Sequence, residues 1–188
     1  MKKWFAVVSL GVAAGFAVSA VADDDHGGHD RQQRVFRATL SGYSEVPNSL
    51  STTARGQFYA VLNKEGTELT YWLSYSGFTV TVNQSHIHFG QHHTNGGVSL
   101  WLCKNAAGQP PAVPSDPVVA GQTPDCQQGG TTSPITGTLS AVDVVGPTGQ
   151  GIGLAEFEEI LAAMRAGVAY VNVHSATYVG GEIRGQLH

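Results

Sequence analysis

Charge is scarce in this chain. Lys, Arg, Asp and Glu make up 13% of its 188 residues, the formal net charge is -4, and no stretch concentrates basic side chains. That balance sets aside nucleic acid, which is held mainly through its phosphates. Cysteine is nearly as rare. Cys103 and Cys126 are the two, and neither sits in a C-x-x-C arrangement. A disulfide tying down the loop between them is therefore the reading preferred over a thiolate metal site. Long apolar runs are missing after the N-terminal stretch, so no membrane span is expected in the mature chain. There is no G-x-S-x-G elbow and no G-x-G-x-x-G. Ser85 and Ser175 each adjoin a histidine, but neighbours in a strand point to opposite faces, which argues against a Ser-His pair.

What is present begins with a leader. Met1-Lys2-Lys3 is cationic, an apolar run follows, and Ser19-Ala20-Val21-Ala22 has the small residues of a cleavage site. Residues 1–22 are read as a signal peptide, placing the mature protein in the periplasm or outside the cell. Residues 23–33 are acidic and polar, contain His26 and His29, and are read as a solvated tail. Residues 34–188 form one domain, long enough to bury a core. Low charge and 24 glycines point to a turn-rich all-β exported domain.

The domain reads as short strands with Gly-rich punctuation, the pattern of a sandwich or barrel. Alternation runs over 35–40. Phe58, Ala60 and Leu62 share one face of the next strand, and Leu69, Tyr71, Leu73 and Tyr75 share a face of the strand after it. Lys64-Glu65-Gly66 is the hairpin turn between them. Further strands are expected over 80–89, 98–103, 136–145, 168–174 and 182–187. Residues 106–134 are a long Pro-, Gly- and Gln-rich loop with a cysteine near each end. One helix is expected over 153–166, where Leu154, Phe157, Leu161 and Met164 recur at helical spacing. The run Gly149-Gln150-Gly151-Ile152-Gly153 turns the chain into it and lacks the spacing of a nucleotide-binding turn. Glu45 and Glu182 are the acids that stand out in the β region. An ion pair of Glu182 with Arg184 on the same strand face is their simplest role.

The chemistry concentrates in histidine. In Ser85-His86-Ile87-His88-Phe89-Gly90 the strand period puts His86 and His88 on one face. In Tyr170-Val171-Asn172-Val173-His174 it puts Tyr170, Asn172 and His174 on one face and the two valines on the other. If the strands meet, three imidazoles converge, a donor set suited to copper or zinc and not to calcium or magnesium. Copper ranks first, because it binds nitrogen-rich sites most tightly among the divalent ions. His92 and His93 follow closely enough to add a fourth ligand.

Several runs resemble the CHRD domain, named after chordin. They are Phe36-Arg37-Ala38-Thr39-Leu40-Ser41-Gly42, Glu45-Val46-Pro47, Ala54-Arg55-Gly56, the two histidine segments through Ser175, and Gly181-Glu182-Ile183-Arg184-Gly185-Gln186-Leu187. They occur in the family's order, with Tyr178-Val179-Gly180-Gly181 where the family usually carries a proline. The resemblance implies an exported, immunoglobulin-like β-structure and assigns no general biochemical role. The histidine segments are also similar to the copper-binding segments of copper/zinc superoxide dismutases, which are Greek-key barrels. That likeness implies His86, His88 and His174 as copper ligands, His92 or His93 as a fourth, and Arg184 as an anion-guiding charge. The expected protein is an immunoglobulin-like or Greek-key all-β domain with one short helix and a disulfide-tied loop, binding a transition metal. A copper-dependent redox enzyme of dismutase type and a metal-free extracellular protein-binding module are the alternatives, and no protein partner is identified.

Overall fold

Alternating burial organises the strands. In a computed structural model describing residues 33–104 and 123–188, β1 (Val35–Ser41), β2 (Arg55–Leu62) and β3 (Leu69–Ser76) each send every second side chain into the core. Phe36, Leu40, Phe58, Leu62, Tyr71 and Leu73 are buried there, as the period-two reading requires. The expected leader, the tail over 23–32 and the middle of the loop between the cysteines lie outside the described residues.

The other strands are β4 (Val82–Phe89), β5 (Gly97–Lys104), β6 (Ile135–Leu139), β7 (Ala169–Ser175) and β8 (Ile183–Gln186). They form one antiparallel sheet in the order β5-β4-β7-β8-β1-β2-β3-β6. The sheet curls until its end strands β5 and β6 approach, giving a nearly closed barrel. Across the interior the Tyr71 hydroxyl donates to the Leu102 carbonyl at 2.7 Å, tying β3 to β5. The crossings from β3 to β4 and from β6 to β7 make the connectivity non-local.

Two element boundaries differ from the sequence reading. Helix α1 is shorter than expected, spanning Phe157–Arg165. Upstream of it Ala155 takes φ 63°, and the Glu156 carboxylate folds back to accept the Gly153 N–H at 2.6 Å. Leu154, expected on the buried stripe, is consequently 70% exposed, while Phe157, Ile160, Leu161 and Met164 pack on the core. The strand expected over 136–145 ends at Leu139, because Asp143 accepts the backbone N–H of Ser140 and bends the chain into a short turn. No helix among the described residues is long and apolar enough to cross a membrane.

Cys103 and Cys126 are bonded, joining β5 to the segment that leads into β6 across the barrel seam. Cross-linking residues 23 apart restricts the unfolded chain, so replacing both by alanine should lower stability by about 3 kcal/mol. A urea-unfolding midpoint in non-reducing buffer reads this out. A loss below about 1 kcal/mol would show that the seam closes without its staple.

Candidate metal centre

β4 and β7 are direct neighbours. Their register sets Gln84 opposite His174, His86 opposite Asn172 and His88 opposite Tyr170. Strand pleating turns Ile87, Val171 and Val173 into the barrel core and puts the histidines on the barrel's outer face. That face is covered all the same: His86 is 1% exposed, His88 7% and His174 6%. Three loops close over it, each fastened to the sheet by a polar contact.

The loop of residues 91–96 supplies the Gly96 carbonyl, which accepts from His88 Nδ1 at 3.0 Å. The loop of residues 176–182 supplies the Val179 carbonyl, which accepts from His174 Nδ1 at 3.0 Å. A carbonyl can only accept, so both rings carry their proton on Nδ1 and keep a lone pair on Nε2. The third ring, His86, sits with Nδ1 3.2 Å from His174 Nε2. One nitrogen from each of the three rings lies within 4.8 Å of the others. Nε2 of His86 and Nε2 of His88 are buried without any hydrogen-bond partner in the protein, a costly state for a polar atom unless something binds it.

Burial holds all three rings neutral. It takes His86 well below the usual imidazole range, with His174 and His88 adding to the effect. His88 is pushed down to about 3 by burial and then by His174. Burial takes His174 down to about 4 against the opposing bond to Val179. Neutral rings with fixed tautomers are ready to bind a metal ion without first losing a proton. Aromatic neighbours set their tilt: Tyr170 lies parallel to His88 at 4.7 Å, and Trp101 meets His86 edge-on at 4.2 Å.

A buried polar layer adjoins the rings. From the loop of residues 42–52, Glu45 accepts two bonds from Asn172 Nδ2, at 3.1 and 3.2 Å, and burial pushes its carboxyl up to about 7. Thr52 donates to Glu182 Oε1 at 2.6 Å. Arg184 is 2% exposed, its guanidinium 3.4 Å over the Tyr170 ring, and it donates to the carbonyls of Thr94 at 2.8 Å and Gln91 at 3.2 Å. It is thus a strut holding the covering loop and not a free charge for guiding anions. Glu182 bonds Thr52 and makes no ion pair with Arg184, whose guanidinium is directed at the loop carbonyls of Thr94 and Gln91.

His92 and His93 lie exposed on the covering turn and stay outside the cluster. Ser85 and Ser175 are structural, the first donating to the Asn172 carbonyl at 2.8 Å and the second accepting the Tyr178 N–H at 3.2 Å. Gln150, in the glycine run, accepts from Gly97 N–H and donates to the Phe89 carbonyl, so that run buttresses a strand end. Sequence reasoning missed Trp101, which read only as part of an apolar strand. It also missed the links from Glu45 to Asn172 and from Arg184 to the turn.

A family model described as the CHRD domain matches residues 36–187. No curated protein and no solved structure matches the chain, so the likeness of its histidine segments to superoxide dismutases gains no support from them.

Proposed function

The chain belongs to the CHRD-domain family, and from that premise we propose that it is an exported domain holding a transition-metal ion, copper in preference to zinc, between His86, His88 and His174. Export is supported by the leader pattern of residues 1–22 and by a disulfide, which persists in oxidising compartments. The observation carrying the metal assignment is the pair of buried, unpartnered Nε2 atoms beside a third ring. Three structural histidines would be expected to spend their ring nitrogens on carbonyls or hydroxyls. Here one nitrogen of His88 and one of His174 are spent so, and one nitrogen from each ring still lies within 4.8 Å of the others. An all-nitrogen set without carboxylate favours copper or zinc, and copper is the stronger binder. Burial of all three rings favours a firmly held ion over a centre open to substrate.

Tag-free protein exposed to Cu(II) and dialysed should retain about one copper per chain, and His86→Ala and His174→Ala should retain little. Equal residual copper in all three proteins would remove the site and leave a metal-free binding module. Superoxide decay measured on loaded protein, after unbound copper is removed, separates a holder from a redox enzyme, and the expected result is no acceleration over the metal-free protein.

A further inference from the structure

On the half of the barrel away from the histidine cluster, the outward face is ordered in rows by the strand register. Arg37 stands beside Tyr59, Tyr59 beside Trp72, and Trp72 beside Thr136. The next row is Thr39, Gln57 and Ser74, and the one after it Ser41, Arg55 and Ser76. The Arg37 guanidinium lies 5.4 Å from the centre of the Tyr59 ring, which orients it, and the Tyr59 and Trp72 rings are 5.6 Å apart. Trp72 is 37% exposed. The rows line two open clefts of about 490 and 460 Å³ that share Thr39, Gln57 and Ser74 and so run into one groove.

The groove's chemistry narrows its occupant. Among the described residues lining it there are two guanidinium groups and no side-chain carboxylate, although the chain as a whole has net charge -4. The groove's side chains are therefore cationic and suited to an anion, with the α-carboxylate of His188, the last residue of the sequence, beside Arg37 offsetting one of the two charges. Two cations are too few to hold a nucleic acid by its phosphates. The middle row, Thr39, Gln57 and Ser74, offers hydroxyl and amide groups between the aromatic row and Arg55. A sugar ring offers a C–H face that can lie on an indole, and hydroxyls that can bond Gln57, Thr39 and Ser74. A carboxylate pairs well with a guanidinium fork. Tyr59 and Arg55 are four residues apart on β2, so the two cationic rows are separated by about 13 Å, more than one sugar ring.

We propose that this groove binds an anionic polysaccharide, a uronic-acid ring stacking on Trp72 with carboxylates paired to Arg37 and Arg55. Native-gel retardation by polygalacturonate tests it, with neutral dextran and dextran sulfate as comparison matrices. Trp72→Ala and the double variant Arg37→Gln/Arg55→Gln change only outward-facing side chains, and unchanged thermal midpoints will verify their folding. Polygalacturonate should retard the parent protein, each variant should bind it about tenfold more weakly, a loss of about 1.4 kcal/mol, and dextran should not retard it. The emission of Trp72 should also change on binding. An unretarded parent, equal affinity of parent and variants, or equal retardation by dextran overturns the proposal. Retardation by dextran sulfate that Trp72→Ala leaves intact, with polygalacturonate behaving alike, overturns it too by reducing the effect to bare charge.

Discussion

Metal-free protein should lose on the order of 5 kcal/mol of stability as the pH falls from 6.5 to 4.5. Each of the three rings has its folded pKa below the ordinary 6.5, so above that pH neither state binds a proton and the rings contribute no pH dependence. Below it the unfolded chain takes up protons that the buried rings refuse. Stability therefore drops until the pH reaches the folded values, about 4 for His174 and about 3 for His88. Glu45 opposes this. Its folded pKa of about 7 lies above the ordinary 4.5, so the folded state binds its proton first and gains stability over the same fall in pH. That gain is about 2 kcal/mol against three rings at roughly 2 to 3 kcal/mol each, so the loss prevails. Chelator-treated protein unfolded in urea at the two pH values gives the number, and His88→Gln should reduce the net loss by about half. A midpoint moving by less than about 1 kcal/mol equivalent would mean that the rings protonate in the folded state and that the site is wetter than its burial indicates.

Replacing Arg184 by leucine should cost about 3 to 5 kcal/mol, because it removes one partner from a buried charged cluster. The carbonyls of Gln91 and Thr94 lose their donors, and Glu45 loses a compensating cation. Arg184→Lys should recover little. An ammonium cannot reach both carbonyls while lying flat on Tyr170. The same turn carries the Gly96 carbonyl that fixes the His88 tautomer, so copper retention should fall along with the thermal midpoint. Arg37→Leu, which loses an exposed cation over Tyr59, should stay within about 1 kcal/mol of the parent and serves as the control. Equal losses from the two arginine variants would refute the strut.

Legibility varied with the range of the forces involved. Period-two alternation in β1, β2 and β3 named the core correctly, since a half-buried strand writes its own pattern. The same period put His86 with His88 and Tyr170 with Asn172 and His174. It could not register that both faces of β7 are buried, because the loops covering the outer face come from elsewhere in the chain. Helical spacing located α1 but placed its start too early: one positive φ and one carboxylate turned back on the chain overrode Leu154.

Which side chains share a strand face, where the hairpins turn, and that two cysteines stand ready to bridge were properties of the amino-acid order alone, because each depends on neighbours a few positions apart. Pairing of β4 with β7, the carbonyls that choose the histidine tautomers, and the conversion of Arg184 from free charge to strut were decided only in three dimensions. Asn172 meets Glu45 across 127 positions and Arg184 meets Thr94 across 90. At such separations nothing in the local pattern selects the partner, which is set by sheet order and by the requirement that buried polar groups be satisfied.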